Sequence, residues 1–460
     1  MSTTTVERPA PALPAAPLEA RPAGLVPSVL FELSKLFAQW RIRIVLGACW
    51  VAPAAFIVAA SGQSSLPSDT VFGRWMFATG WAGSLVLLSF ACSWVLPLLT
   101  SLVAGDVFAA EDRLGTWRHL VMAVRSPRRI FVAKALASSV VILLMQLGLA
   151  ASSIGGGIAV VGDRELVGLD GRLIGTGQSA RLVLLSWACV ALTSLAFAAV
   201  GLLGSVVLGR SPMGLLMPAL LAFLLQAAQL LPMPAAVRLA LPSQGFVAWR
   251  GLFTGPAESQ PLLIGLMVSL AWTIVATTLA YVIFVRRDFT DLASDGSAPR
   301  TVLVAALPVV ALAAVSIAGV AVAMPAIGSG IDKGKVERSL ATSFAHLYRL
   351  QSRELHRTEI PEKQLGASAS CHRAGSAGDD EGPGNDWRCA VSWQIPGAVA
   401  VGTALYQVDV AADGRYVADG DGPKEVNGYF TVRTPNGDAA NPLWQVDGLL
   451  DLSSRSSSKG

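Results

Sequence analysis

The chain has 460 residues, of which 53% are hydrophobic and 14% are charged, and its formal net charge is +4. Soluble domains average about 25% charged residues, so this composition excludes an ordinary soluble protein and indicates a polytopic α-helical membrane protein. The small positive charge gives no sign of a nucleic-acid partner, because basic residues beside membrane spans report orientation.

Two segments precede the apolar runs. Residues 1–27 are rich in Pro, Ala and Thr, and this composition predicts a disordered cytoplasmic tail. Residues 28–43 carry Leu30, Leu33 and Leu36 at helical spacing, with basic residues beside and beyond this stripe. The pattern predicts a helix that lies at the inner membrane interface.

Seven apolar runs are each long enough to cross a bilayer, which takes about 20 residues. The predicted spans lie near 44–60, 77–103, 132–161, 182–208, 215–231, 262–285 and 302–324. Basic residues are more frequent in the segments on the same side of the membrane as the N-terminus than in the segments on the other side. This bias predicts that the N-terminus lies in the cytoplasm and the C-terminal region outside. The abundance of Arg, Ala and Gly indicates a bacterial genome, and hence a multi-pass protein of a bacterial cell membrane.

A dense polar stretch at 105–134 separates the second and third predicted spans. Charges at this density do not lie in hydrocarbon. Within it, Leu114, Trp117 and Leu120 recur at a spacing of three, which predicts an amphipathic helix over 111–124 at the membrane surface. A Ser-Pro pair then ends this helix, because the residue before a proline avoids helical geometry.

This stretch resembles the loop after the second span of ABC-2 type transporter permeases. The features that carry the resemblance are an acidic pair, a Gly-Thr pair, a short amphipathic helix, a basic pair and a lysine: Glu111, Asp112, Gly115, Thr116, Trp117, Leu120, Arg128, Arg129 and Lys134. The resemblance implies that these residues couple a separate cytosolic ATPase to the membrane. On the residues alone, a basic loop that merely fixes orientation is the alternative.

The resemblance extends over the connecting helix and a six-span permease domain at 44–290. It includes a Pro- and Gly-broken segment at 232–260, where ABC-2 permeases have hairpins that close the outer end of the pathway. The resemblance implies a bilayer-embedded dimer, with either a second copy or a different permease, that exports a substrate. ATP and Mg would be bound by the partner ATPase and no cofactor by this chain. The seventh span, at 301–325, has no counterpart in the common form.

After the seventh span the composition predicts a small extracytoplasmic α+β domain at 330–452, followed by a polar tail at 453–460. A helix is predicted over 333–357 from apolar residues at spacings of three and four. Strands are predicted at 388–396, 406–410, after a turn at 412–414, and near 430–432. Cys371 and Cys389 lie in this region, where disulfides persist, and are predicted to form a bridge.

Three glutamines fall inside predicted spans: Gln146, Gln226 and Gln229. An amide in hydrocarbon seeks a neighbouring helix, so these residues either line a substrate pathway or dimer seam or hold adjacent helices together. An acidic loop at 374–386 lacks the ligand spacing of a calcium loop, and solvent exposure is favoured there over a cation site.

The sequence shows no catalytic or metal-binding constellation. The four histidines do not pair at metal-ligand spacing, and the glycine-rich stretch at 328–335 lacks the phosphate-loop pattern. The predicted function is therefore a transport subunit and not an enzyme: the permease of an ATP-driven ABC-2 type exporter. The alternative is a non-transporting membrane-anchored sensor or assembly factor that acts through the C-terminal domain; a membrane-embedded enzyme ranks third.

Overall fold

The computed structural model describes residues 24–61, 79–124, 126–208, 212–287, 298–323, 329–374, 380–435 and 437–453. The protein is mostly helical, with a small antiparallel sheet near the C-terminus. Five of the described helices are long and apolar enough to cross a membrane. The predicted class, a helical membrane protein with a small sheet-containing region, is therefore confirmed. Most of the predicted N-terminal tail and nearly all of the C-terminal tail lie outside the described residues.

Eleven helices are described before the C-terminal region. In chain order they are α1 (Leu25–Ala38), α2 (Trp40–Ser61), α3 (Gly80–Ala104), α4 (Ala109–Leu114), α5 (Trp117–Val124), α6 (Pro127–Val161), α7 (Thr176–Leu208), α8 (Pro212–Gln229), α9 (Ala235–Leu239), α10 (Gln260–Val285) and α11 (Ala298–Ala323). A short hairpin of β1 (Leu166–Val167) and β2 (Leu173–Ile174) joins α6 to α7. Two 3₁₀ segments, Pro242–Phe246 and Ala248–Phe253, follow α9.

The helices that meet the length and apolarity of a span are α2, α3, α6, α7 and α10. Helices α8 and α11 occupy the predicted fifth and seventh spans, but their described apolar parts are only Ala219–Gln229 and Val309–Ala323. A hydrocarbon core takes about 20 helical residues. The described residues thus support five spans, and the predicted count of six plus a seventh is not confirmed.

Helix α1 begins at Leu25, so the predicted tail over 1–27 is wrong at its C-terminal end. Pro27 lies in the first turn of α1, where a backbone N–H group has no acceptor within the helix. The N–H that proline lacks is therefore not needed at this position. The helix then stops before Gln39, whose backbone is extended. The predicted interfacial helix over 28–43 is therefore wrong at both ends, and its last basic residues belong to α2.

Small residues let the helices of the bundle approach closely. Helix α6 packs against α1, α2 and α3, and α7 packs against α3, α8 and α10. A Cβ atom on Gly157 of α6 would lie 2.2 Å from the carbonyl oxygen of Gly80 on α3, so this crossing requires glycine. The 35 residues of α6 extend about 50 Å at 1.5 Å per residue, and α6 therefore joins the two ends of the bundle.

The C-terminal residues 329–453 form a sheet domain. Its elements are α12 (Lys333–Glu354), α13 (Glu362–Leu365), β3 (Ser368–Arg373), β4 (Gly384–Gln394), β5 (Val401–Val410), β6 (Arg415–Gly420), α14 (Lys424–Asn427), β7 (Thr431–Thr434), β8 (Gly437–Ala440) and β9 (Gln445–Leu449). Five antiparallel strands form one sheet in the order β3-β4-β5-β6-β9, and β7 pairs with β8 separately. Helix α12 lays Leu340 and Phe344 against buried Trp387 and Tyr406, which creates the core of the domain.

The helix and strands predicted for this region lie near their predicted positions, although α12 ends three residues earlier than expected. At the predicted turn, Gly414 has a φ of +84°, a left-handed conformation that favours glycine. Strands β3, β8 and β9 were not predicted. The sequence of β3 lacks the alternation of apolar residues that marks a strand, and its place is set by pairing with β4.

The predicted disulfide between Cys371 and Cys389 is confirmed. The two cysteines are directly opposite each other on β3 and β4, and both are buried. Beside them, Arg373 forms an ion pair with Asp386 of the acidic loop, while its backbone N–H donates to Asp380. The remainder of that loop, 375–379, lies outside the described residues.

Replacing Cys371 and Cys389 with Ala should lower the free energy of unfolding of the sheet domain by about 3 kcal/mol, because the bridge closes a loop across a sequence separation of 18 residues. Thermal unfolding of the full-length protein in detergent measures this change, with Cys49→Ala as a control at a buried free thiol. Mass spectrometry after alkylation under denaturing, non-reducing conditions should find three free thiols in the native chain. Five alkylated thiols without reduction would contradict the bridge.

Candidate functional site

Charged residues collect at the end of the bundle where α4 and α5 lie. They come from α1, the start of α2, the segment around α4, the first turns of α6 and the C-terminal end of α10. We call them the charge cluster: Glu32, Lys35, Arg41, Asp106, Glu111, Asp112, Arg113, Lys134 and Arg287. The four acidic members are buried. Because a buried charge requires a partner, these ion pairs fix several segments to one another.

Glu111 lies at the centre of the charge cluster. Lys134 Nζ lies 2.7 Å from Glu111 Oε1 and 2.9 Å from Glu32 Oε2. Lys35 also binds Glu111, and the Thr116 hydroxyl donates to its second carboxylate oxygen. Burial by itself would raise the pKa of Glu111, but the charge and hydrogen bonds of its partners, Lys134 above all, lower it to about 2. Glu111 is therefore negatively charged at neutral pH.

Asp112 connects α4 to two other elements. Trp117 Nε1 donates to Asp112 Oδ1 at 2.7 Å, and Arg287 Nη2 lies 2.9 Å from the same oxygen. Trp117 itself is fully buried and packs against Phe108 and Phe284. The two contacts of Asp112 therefore fix the beginning of α5 to the C-terminal end of α10.

The predicted single helix over 111–124 is wrong, because this segment contains two short helices, α4 and α5. Gly115 separates them with a φ of +66°, which ends α4 in a left-handed conformation. The Thr116 N–H then donates to the Glu111 carbonyl oxygen at 3.2 Å. This turn allows the Glu111 carboxylate and the Thr116 hydroxyl to meet.

The two short helices present a mixed surface. Leu114 is 69% exposed and Met122 is 61% exposed, so Leu114 does not share one apolar face with buried Trp117 as predicted. The turn at Gly115 directs it away from the half-buried Leu120. Arg118 is also exposed. Exposed apolar side chains together with an exposed arginine on these two short helices make a surface suited to another protein.

The three basic residues predicted at the start of α6 separate into two groups. Arg128 and Arg129 are exposed, whereas Lys134 is buried and belongs to the charge cluster. Sequence reasoning did not assign Glu32 or Arg287 to this site. The available signal was weak: Glu32 is a lone acidic residue in an amphipathic helix, and Arg287 follows a distant span. Only the tertiary structure brings them together.

The three glutamines inside predicted spans donate to neighbouring segments. Gln146 donates to the carbonyl oxygen of Trp187 on α7 at 3.0 Å, and Gln226 donates to that of Cys92 on α3 at 2.8 Å. Gln229 donates to the carbonyl oxygen of Arg238 on α9 and to the Ser243 hydroxyl in the first 3₁₀ segment. Cys92 lies in the π-helical turn of α3, Ala91–Val95. These hydrogen bonds favour the packing interpretation over a shared pathway.

A polar cleft of about 540 Å³ lies at the other end of the bundle, between the segment 254–260, helix α12 and strand β9. Its charged lining residues are Asp170, Glu258, Lys335, Arg338 and Asp451. Burial raises the pKa of Glu258, and repulsion by Asp451 and Asp170 exceeds the attraction of Lys335, so the pKa reaches about 8. The Glu258 carboxyl therefore holds its proton near neutral pH.

His346 fastens the sheet domain beside this cleft. Its Nδ1 lies 3.2 Å from Asp170 Oδ2 in the loop between α6 and α7, and its Nε2 lies 3.2 Å from Glu362 Oε2. Burial by itself lowers the pKa of His346, but the hydrogen bond and charge of Asp170, with the charge of Glu362, raise it above its ordinary value. The pair His346–Asp170 links the two parts of the protein.

No family model and no curated protein matches this chain. The fold and its contacts define a class: a helical membrane protein with a sheet domain attached at one end of the bundle. The charge cluster at the opposite end and the polar cleft under the sheet domain are its two candidate sites.

Replacing Lys134 with Met should lower the free energy of unfolding by about 3–5 kcal/mol, because Glu32 and Glu111 would lose the buried cation that they share. Arg128→Gln also removes one positive charge, but from an exposed position, and should change stability by less than about 0.5 kcal/mol. Thermal unfolding in detergent provides the comparison. Equal destabilisation by the two substitutions would show that the ion pairs of Lys134 are not structural.

The raised pKa of Glu258 makes stability depend on pH. An unfolded chain releases this proton near about pH 4.3, whereas the folded protein keeps it up to about pH 8. The folded state thus binds more protons between these values, and its stability falls as pH rises through that window. Glu258→Gln should remove this part of the fall in melting temperature. If the melting temperatures of the native protein and of Glu258→Gln changed with pH in the same way, Glu258 would not be the group responsible.

Proposed function

We propose that this chain is the membrane subunit of an ATP-driven exporter of the ABC-2 type. The observation that carries the proposal is the charge cluster, which fixes the surface helices α4 and α5 to α1, α6 and α10 by buried ion pairs. A force applied to α4 would reach two membrane helices directly, through Asp112–Arg287 and Glu111–Lys134. A loop that only fixes orientation would not need buried partners on distant helices.

The partner in this proposal is a cytosolic ABC ATPase. It would dock on the exposed side of α4 and α5, where Leu114, Met122 and Arg118 lie. ATP and Mg would be bound and hydrolysed in the ATPase, and this chain would supply no catalytic residue. Arg128 and Arg129 are exposed beside this surface and would contact either acidic residues of the ATPase or lipid phosphates.

The proposed location is a bacterial cell membrane, with the N-terminus in the cytoplasm and the sheet domain outside. The disulfide of the sheet domain supports this orientation, because such bridges persist in oxidising compartments. A second permease, identical or different, would complete the exporter, and the substrate would pass between the two. The sheet domain covers the end of the bundle where such a pathway would open.

A second candidate function rests on the polar cleft. A membrane-anchored sensor or assembly factor would bind its ligand between the sheet domain and the bundle, and it would need no ATPase. The cleft of about 540 Å³ is within the size range of small-molecule sites. What separates the two functions is the presence of an ATPase on α4 and α5.

Affinity purification of the full-length protein from its native membrane, with mass spectrometry of the bound subunits, tests the proposal. The native chain should retain a nucleotide-binding ATPase. The double substitution Leu114→Glu and Met122→Glu should reduce its recovery at least about tenfold, because losing two exposed apolar contacts in an interface removes more than about 1.4 kcal/mol. Buried Trp117 is left intact, so the fold is preserved.

Val399→Glu in the sheet domain is the matched control, since Val399 is 97% exposed and lies far along the chain from α5. This variant should retain the ATPase at the native level. An ATPase that binds the double variant equally well would place the interface elsewhere. No ATPase with any of the proteins would favour the sensor or assembly factor.

A further inference from the structure

Three arginines meet at the seam between the sheet domain and the segment that follows α8. Arg238 lies on α9 and Arg250 in the second 3₁₀ segment, while Arg415 begins β6. Asp413 interacts with all three. Asp447 on β9 is a second acidic residue beside them. Glu258 also lies beside Arg250 and Arg415, but it holds its proton near neutral pH, so three positive charges face the two negative charges of Asp413 and Asp447.

Arg415 contacts both carboxylate oxygens of Asp413. Its Nε lies 2.7 Å from Asp413 Oδ2, and its backbone N–H donates to Asp413 Oδ1 at 3.2 Å. Arg250 lies 3.9 Å from Asp413 Oδ2, which is beyond hydrogen-bond distance. Within the described part of the chain, the Arg250 guanidinium donates no hydrogen bond, although its side chain is only 12% exposed. Burial and repulsion by Arg415 lower the pKa of Arg250 to about 10, despite attraction by Asp413.

Arg238 shows the same shortage of acceptors. It is fully buried and donates one hydrogen bond, from Nη2 to the carbonyl oxygen of Met233 at 3.2 Å. Among the described residues, its Nε and Nη1 have no acceptor. Buried guanidinium groups are costly without acceptors, so the seam has more donors than the described chain satisfies.

Two cavities border Arg250 and Arg415. One of about 90 Å³ is lined by Ser89, Trp249, Arg250 and Arg415, and one of about 30 Å³ lies against the same two arginines. The Ser89 hydroxyl oxygen of α3 is buried, and it has no hydrogen-bond partner among the described residues. A water molecule needs about 10–15 Å³ of such space, so the larger cavity has room for a group of several non-hydrogen atoms.

We propose that this seam binds an anionic group, a phosphate or a carboxylate, between Arg250 and Arg415 with the Ser89 hydroxyl as a further donor. An oxyanion accepts several hydrogen bonds at once, and the planar donors of arginine match its geometry. The other wall residues are mostly apolar, with Leu169, Trp249 and Leu449 among them, and Asp447 is the one acidic residue in the wall. A phosphate on a lipid head group and a free phosphate ion share this chemistry.

The bound anion would contact three parts of the protein at once: α3, the 3₁₀ segment and the sheet domain. A ligand that binds only the assembled seam stabilises the folded state, because α3, the 3₁₀ segment and the sheet domain form the site only when they are together. The anion would therefore hold the sheet domain on the bundle. This site does not depend on the proposed export function.

The test is the melting temperature of the full-length protein under two kinds of probe. In detergent, sodium phosphate is compared with sodium chloride at equal ionic strength. In nanodiscs, phosphatidylcholine alone is compared with phosphatidylcholine mixed with phosphatidylglycerol. At least one probe should raise the melting temperature of the native protein by a few degrees. A rise with phosphate identifies the free ion, and a rise with phosphatidylglycerol alone identifies the lipid.

Arg250→Gln should weaken binding of the effective probe by about 10- to 100-fold, the value of one charged hydrogen-bond donor. Arg433→Gln is the control, because it removes the same charge from an exposed position on β7. Arg415→Gln, at a partly exposed residue, decides the matter if Arg250→Gln does not fold. A native protein that responds to neither probe, or seam variants that respond like Arg433→Gln, would overturn the proposal.

Discussion

A buried carboxylate that stays ionised needs a cation beside it. The pair of Glu111 with Lys134 shows how this constraint organises one end of the protein. Lys134 also holds Glu32 of α1, and Glu111 also holds Lys35 from the same helix. Each charge therefore has partners on more than one element. Removing Lys134 would leave Glu32 buried without a cation and Glu111 with one cation fewer, so this pair holds the elements in one arrangement.

Continuous helices connect the two ends of the bundle. Helix α10 begins at Gln260, which lines the polar cleft, and ends beside Arg287, which binds Asp112 in the charge cluster. Its 26 residues cover about 39 Å. In the proposed exporter, α10 would connect motion of the ATPase-facing helices with the sheet domain.

Much of the local structure followed from periodic patterns in the chain. The apolar runs placed α2, α3, α6, α7 and α10, and the alternation around Trp387 and Tyr406 placed two central strands. Strand β3 escaped prediction because its pairing with β4, and not its own pattern, makes it a strand. The break at Gly115 was missed for a related reason: a glycine is compatible with a helix until distant contacts favour the turn.

The sequence by itself determined the class of the protein, the location of its polar stretch and the pairing of the two cysteines outside the apolar runs. These features depend on composition and short-range periodicity, which act before the chain has a tertiary structure. Only the tertiary structure decided that Glu32 and Arg287 join Glu111 and Asp112, and that Arg250 meets Arg415 at the seam. Such contacts join residues far apart in the chain, and no local pattern encodes them. A charged side chain needs a partner only because it is buried, and the packing of the helices decides which residue that partner is.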